Sequence, residues 1–163
     1  MERIWAPWRM EYITGTKDQG EKKCFLCLEG DKDEKDLVLA RGTKAFVIMN
    51  KYPYANGHVM VVPNRHVGKI EDLTDEELLE MMQLVRMISS VLRQELSVDG
   101  LNIGINMGKA AGAGLEEHMH VHIVPRWFGD TNFMPVIGET KVISEHLHAT
   151  YRKLRERVVE KIL

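Results

Sequence analysis

Apolar positions in the first part of the chain come in short runs. Leu37-Val38-Leu39-Ala40, Ala45-Phe46-Val47-Ile48-Met49 and His58-Val59-Met60-Val61-Val62 are rich in β-branched side chains and bounded by polar residues, the pattern of buried strands. Arg41-Gly42-Thr43-Lys44, between the first two, reads as a hairpin turn. From Thr74 the period changes. Thr74 and Glu77 have the spacing of a capping box, in which hydroxyl and carboxylate satisfy free amides at a helix start. Leu78, Met81, Val85, Ile88 and Leu92 then recur on one helical face, and the helix is expected to end before Asp99-Gly100. Two further strand-like segments cover residues 101–107 and 118–124. Near the C-terminus, Leu147, Tyr151, Leu154, Val158 and Ile162 form one stripe, predicting an amphipathic helix over 143–163. Residues 1–35, with Pro7, Gly15, Gly20 and Gly30, read as irregular. Strands gathered around one long helix indicate an α+β fold class, and 163 residues suit a single domain.

Charge adds mainly exclusions. The net charge is −2 with neutral histidines, so no global field draws the chain to nucleic acid or to a membrane surface. Phosphate binding would have to come from a local arrangement. No apolar run has the length of a membrane span, and the start of the chain lacks a signal peptide's apolar stretch. The cytoplasm is the expected location. The two cysteines, Cys24 and Cys27, are too close together to staple a fold. In a reducing compartment their spacing suggests a metal site or a redox pair.

The chemistry is concentrated in His118-Met119-His120-Val121-His122-Ile123-Val124-Pro125. Side chains on a strand alternate between faces, so the three histidines are expected on one face, with Met119, Val121 and Ile123 turned to the core. Three imidazoles in register have no packing advantage over Val or Thr. One reading makes them metal ligands. The other makes one of them a nucleophile towards phosphorus, oriented by its neighbours.

This segment resembles the His-φ-His-φ-His-φ-φ motif (φ apolar) of the histidine triad, or HIT, superfamily. The stretch from Asn50 to Pro63, with Gly57-His58, is similar to the family's strand, loop and Gly-His strand, and Asn102 to Gly108 to the strand before the triad. The resemblance covers a core at 37–126, preceded by an extension at 1–35 that carries the Cys-x-x-Cys pair. Trp5-Ala6-Pro7-Trp8-Arg9 and the segment Arg126 to Phe133 are similar to the branch containing diadenosine tetraphosphate phosphorylases. The resemblance implies a five-stranded antiparallel sheet with two main helices. It also implies a homodimer joined through the strand after the first helix and through that helix.

It further implies roles. His120 would be the nucleophile forming a covalent nucleotidyl intermediate, His122 would contact phosphates and assist the leaving group, and His118 would orient His120 through its backbone carbonyl. Asn50 would contact ribose, and His58 and Asn106 would lie beside the phosphates. The blander reading of Asn50, Asn106 and His58 is turn-forming or surface residues. The substrate would be an adenosine dinucleoside polyphosphate or related adenylyl compound. Phosphorolysis of diadenosine tetraphosphate to ADP and ATP, with inorganic phosphate as acceptor, leads the readings. Hydrolysis releasing AMP and a non-catalytic nucleotide-binding module are the alternatives.

The small-residue loop Gly108-Lys109-Ala110-Ala111-Gly112-Ala113-Gly114 could bring backbone amides, Gly112 and Gly114 included, to an anion, with Lys109 adding charge. A plain surface loop is the competing reading. The chain has Gly114-Leu115-Glu116-Glu117 where small-hydrolase branches of the family carry Gln and Ser or Thr. Cys24 and Cys27 are half a zinc site by spacing. The resemblance supplies the other half as His66 and His118, a closed structural zinc site. His146 and His148 read as solvated surface residues.

Overall fold

The computed structural model describes residues 24–28, 30, 32–130 and 143–162. Strands β1 (Val38–Arg41), β2 (Ala45–Met49), β3 (Val59–Pro63), β4 (Gly100–Ile105) and β5 (Val121–Arg126) form one sheet in the order β1-β2-β3-β5-β4. Every neighbouring pair is antiparallel. A one-turn helix α1 (Asp33–Asp36) precedes the sheet, α2 (Asp75–Leu96) joins β3 to β4, and α3 (Leu147–Ile162) closes the described chain. The chain thus adopts the expected α+β class, with five antiparallel strands and two main helices.

Both long helices cover one face of the sheet. Val47, Met49, Val59, Val61, Val121 and Ile123 meet Met81, Val85, Ile88 and Leu92 of α2 and Tyr151, Leu154 and Val158 of α3 in one buried cluster. These are the helical stripes read from the sequence, and their removal from water is the main driving force for this packing. The alternate strand residues Phe46, Ile48, Met60 and Val62 form a second cluster on the other face, where Leu26 packs on them. Leu26, between the two cysteines, is 1% exposed and fastens that turn to the sheet.

Several boundaries differ from expectation, each for a local reason. The expected irregular stretch before residue 36 contains the turn of α1, and Leu37 at its end takes a left-handed φ of 63°. The first strand therefore starts at Val38, and the hairpin turn shortens to 42–44, closed by a bond from Gly42 N–H to the Ala45 carbonyl at 2.8 Å. The strand expected at 101–107 runs Gly100–Ile105. The strand expected at 118–124 begins only at Val121. Its register with β3 pairs Val61 with Val121, so Met119 would fall opposite Pro63, which has no N–H to offer a ladder. Met119 instead donates its own N–H to the Val67 carbonyl at 2.8 Å. His118 and His120 consequently lie on the approach to the strand, and only His122 lies within it.

The start of α2 carries the capping box that the spacing of Thr74 and Glu77 predicted. The Glu77 N–H donates to the Thr74 hydroxyl at 3.3 Å, and the Thr74 N–H donates to the Glu77 carboxylate at 2.8 Å. Glu77 is buried and is also gripped by Arg65, through Nε at 3.0 Å and Nη2 at 2.8 Å. These bonds, Arg65 first, hold the Glu77 carboxyl down to about 2. A carboxyl depressed in the folded state stabilises the protein fully above its ordinary value and loses that contribution as pH falls towards the depressed one. Stability is therefore expected to decline from about pH 4.5 towards about pH 2, and Glu77→Gln to flatten that decline. Thr74→Ala is expected to cost about 1 kcal/mol. Urea unfolding across this pH range measures both effects.

Candidate functional site

The functional side chains lie on the sheet face that the helices leave open. His122 pairs with Met60 of β3 and with Gly104 of β4 across the ladder. Met119, Val121 and Ile123 join the helix-side core, as the alternation predicted. The rings of His120 and His122 meet edge to face with centroids 4.6 Å apart. His122 in turn stands 5.1 Å from the ring of His58, which is completely buried. The rings of His120, His122 and His58 thus form one continuous group.

Backbone groups that can only donate or only accept fix the proton positions in the neutral rings. Nδ1 of His120 lies 2.9 Å from the carbonyl oxygen of His118. A carbonyl only accepts, so Nδ1 carries the proton and Nε2 holds the lone pair. At the other end, the Tyr54 N–H donates to Nδ1 of His58 at 3.1 Å. The proton of His58 therefore sits on Nε2, which is 3.0 Å from Nδ1 of His122. His122 accepts there and carries its own proton on Nε2. Burial, then the neighbouring charge of His120, pushes His122 down to about 4, so at neutral pH it is an uncharged N–H donor.

His118 is wholly buried and points away from the other two triad rings. Its Nε2 meets the Pro63 carbonyl at 2.9 Å, which leaves the lone pair on Nδ1. That atom faces Cys24 Sγ at 3.4 Å and Cys27 Sγ at 3.6 Å, and Cys27 Sγ is 3.2 Å from His66 Nδ1. The four donor atoms all lie within 4.8 Å of one another. A tetrahedral ion with ordinary sulfur and nitrogen bond lengths has donor-to-donor edges of about 3.3–3.8 Å, so the donor set and its spacing fit a metal ion. Burial lowers the His118 pKa, partly offset by its bond to the Pro63 carbonyl, and a neutral ring is the form that ligates.

The two histidines meet because two chain segments run in contact. A Cβ on Gly68 would lie 2.5 Å from the Glu116 carbonyl oxygen, so only glycine allows this approach. The Met119–Val67 bond then locks His66 beside His118, their ring centroids 5.0 Å apart.

The remaining expected residues fall into place unevenly. Asn50 accepts the Tyr52 N–H on its side-chain oxygen at 2.8 Å and donates its own N–H to the His58 carbonyl at 2.9 Å. It is a turn-former beside the site, with its amide nitrogen not used by that turn. His58 is interior rather than a surface residue, and both its ring nitrogens are engaged, by the Tyr54 N–H and by His122. Asn106 directly follows β4, its amide nitrogen 4.0 Å from the position a Cβ on Gly112 would take. Gly112, at φ 85°, ends a short 3-10 turn over Lys109–Ala111. Among the described residues, no atom beyond its chain neighbours lies within 4 Å of a Cβ position on Gly114. Lys109 is exposed and pairs with Glu116 at 3.6 Å, a contact of little energetic weight. His146 and His148 stack on each other at 5.8 Å and are exposed. His146 precedes α3 rather than lying within it. Trp5-Ala6-Pro7-Trp8-Arg9 and residues 131–133 lie outside the described residues.

Two neighbours of the site were not singled out in the sequence. Tyr54 packs its ring 4.7 Å from His58 and 5.8 Å from His122. Gly104 sits directly opposite His122, and a Cβ there would meet no atom of the described residues within 4 Å. A glycine interrupting Ile103-Gly104-Ile105 is a signal for close approach to a strand.

Comparison with known proteins agrees with this geometry. The HIT domain model matches residues 31–129. The "AP-4-A phosphorylase" of Mycobacterium tuberculosis is 40% identical over 161 residues, covering 94% of this chain and 83% of the relative. A Zn-bound histidine triad family protein from Mycobacterium smegmatis superposes with a TM-score of 0.63 at 26% identity, covering 78% of this chain and 86% of that one. The diadenosine triphosphate hydrolase of Plasmodium falciparum shares the fold at a TM-score of 0.67 and 22% identity, over 90% of both chains. The chain belongs to the HIT domain family.

Proposed function

We propose that this protein is a nucleotidyl-transferring enzyme that cleaves adenosine dinucleoside polyphosphates at the α-phosphate, with inorganic phosphate as the final acceptor. The observation that carries the reading is the bond between His120 Nδ1 and the His118 carbonyl, which leaves the Nε2 lone pair free to attack. In the first step Nε2 attacks the α-phosphorus of diadenosine tetraphosphate. The bond to the bridging oxygen breaks and ATP leaves. His122, an N–H donor on the same face, is suited to hold a phosphate oxygen and to favour departure of the leaving group. In the second step phosphate attacks the adenylyl-histidine, giving ADP and restoring His120. Two displacements replace one harder one. Water in place of phosphate would give AMP. The identity to a relative named as a phosphorylase, extending over 94% of the chain, favours phosphate.

Asn50 and Asn106 are assigned to the nucleotide, and Gly112 and Gly114 to backbone contacts with the phosphates. The absence of a hydroxyl side chain in Gly114-Leu115-Glu116-Glu117 leaves backbone N–H groups to serve there. The test is incubation with diadenosine tetraphosphate, with and without phosphate. ADP plus ATP is expected only with phosphate, activity is expected to fall as pH drops towards about 4, where His122 charges, and quenching in alkali, in which a phosphorus–nitrogen bond survives, is expected to trap label on His120. Full turnover by His120→Ala would refute the mechanism.

Zinc is the proposed metal, held by Cys24, Cys27, His66 and His118 in a closed Cys₂His₂ site. When bound it supplies rigidity, pinning His118 and with it the carbonyl that orients His120. Two thiols poised for a metal suit a reducing compartment, and we assign the activity to the cytoplasm. Among the described residues no helix is long and apolar enough to cross a membrane. Metal analysis is expected to find one zinc per chain, lost in Cys24→Ser with a lower melting temperature and retained in His120→Ala. A metal that also depends on His120 and His122 would instead favour triad ligation.

A homodimer through β4 and α2 is the proposed assembly. β4 ends the sheet, and the helices leave Ile103 on its helix-side face 48% exposed. Leu79 and Met82, one turn apart on α2, are 61% and 57% exposed. Such apolar surface is stabilised by covering it. Sedimentation is expected to show a dimer, shifted towards monomer by Met82→Glu or Ile103→Lys. A monomeric unmodified protein at micromolar concentration would exclude this assembly.

A further inference from the structure

The loop that carries Asn50, Tyr54 and His58 is tied to the C-terminal helix through Asn56. Oδ1 of Asn56 is 3.0 Å from the hydroxyl of Thr150, and the same hydroxyl is 2.6 Å from Glu145 Oε2. Thr150 is wholly buried. A hydroxyl has one proton and cannot give it to two acceptors. The carboxylate, at the shorter distance, takes it. The amide of Asn56, turned over about its last torsion, then presents its N–H₂ to the hydroxyl oxygen, an exchange of positions that leaves the heavy-atom geometry unchanged. The Glu145 carboxyl is held below its usual value, by Thr150 foremost. Lys153 stands 3.5 Å from the other carboxylate oxygen.

The apolar stripe of α3 does not explain this cluster. Tyr151, Leu154 and Val158 complete the helix-side core, and a valine of nearly equal shape at position 150 would need no polar partner. What the cluster does is fix Asn56, midway between Tyr54 and His58. The segment is also held by backbone bonds, from His58 N–H to the Ala55 carbonyl at 3.2 Å and from Asn50 N–H to the His58 carbonyl at 2.9 Å, and by the Tyr54 N–H on His58 Nδ1 at 3.1 Å. Gly57 takes φ 70°, and a Cβ there would come 2.4 Å from Leu96, so this corner has one fit against the body of the protein. The Tyr54 N–H fixes the proton of His58, and His58 fixes that of His122.

We propose that Thr150 and Glu145 are positioning residues which, by holding Asn56, keep the Tyr54–His58 segment where it maintains His122 as an Nε2–H donor beside His120. The proposal rests on the reading of the triad as the reacting centre.

Thr150→Val removes the hydroxyl and keeps the shape, and Thr150→Ser keeps the hydroxyl. With diadenosine tetraphosphate and phosphate, assayed where every variant is folded by circular dichroism, Thr150→Val is expected to lower kcat about tenfold. KM should change by less than about twofold. Thr150→Ser should restore kcat. Asn56→Ala should show the same loss, and the double variant no greater one, because both remove one tie. Ring-nitrogen NMR of ¹⁵N-histidine protein should show a single His122 tautomer in the unmodified chain and a mixture in Thr150→Val. Wild-type kcat in Thr150→Val, failure of Thr150→Ser to rescue, or losses that multiply in the double variant would overturn the proposal. If the unmodified protein turned over no dinucleoside polyphosphate, the reading of the reaction would fall, and the NMR comparison would still decide the positioning role: an unchanged His122 tautomer in Thr150→Val rejects it.

Discussion

One backbone carbonyl, that of His118, connects the two halves of the site. The imidazole of His118 turns into the cluster with Cys24, Cys27 and His66, while its carbonyl receives the Nδ1 proton of His120. The residue is fully buried and is itself held by the Pro63 carbonyl. A shift of this one peptide unit would move the cysteine–histidine corner and the lone pair of His120 together. The geometry of the triad is thus a property of the chain on both sides of it. The first histidine of the motif belongs by its side chain to one centre and by its backbone to another.

The sheet makes that division workable. Its helix-side face is filled by apolar residues of α2 and α3, mostly aliphatic and with Tyr151 among them, so folding stability comes largely from this apolar core. The opposite face carries the imidazoles and, beside them, a smaller cluster in which Leu26 covers Phe46, Ile48, Met60 and Val62. Chemistry that needs open or polar surroundings is separated from the packing that holds the protein together by the thickness of a single sheet. A desolvated imidazole such as His122 then remains neutral at physiological pH without destabilising the main core.

Much of this arrangement was legible in the sequence. The capping residues Thr74 and Glu77, the stripe from Leu78 to Leu92 and the alternation of Met119, Val121 and Ile123 are local patterns, and local patterns survive folding. The points that were not legible depend on partners distant in the chain. That β5 begins at Val121 follows from the proline that its register places opposite Met119. That His58 is interior follows from Tyr54 and His122 closing on it. The ties from Arg65 to Glu77 and from Thr150 to Asn56 join residues with no shared periodicity. Gly68 and Gly104 gave a faint signal, since a glycine marks that something passes close by or must be kept clear, without saying what. The motifs named the residues of both clusters, but the expected grouping of three imidazoles on one face is met by His120 and His122 alone, because the His118 ring turns to the cysteines; which proton each ring carries also came only with the third dimension.

Arg65 has a consequence for how the molecule opens. It stands next to His66 in the chain and holds the first turn of α2 through Glu77, with a further bond from its guanidinium to the Asp72 carbonyl at 2.6 Å. Fraying at a helix end is ordinarily a private, low-energy fluctuation. Here the frayed end would drag on the peptide beside His66, so releasing that turn and loosening the cysteine–histidine corner become one concerted excursion. An ion bound at the corner would be felt by amides of α2 that never touch it, slowing their exchange with solvent.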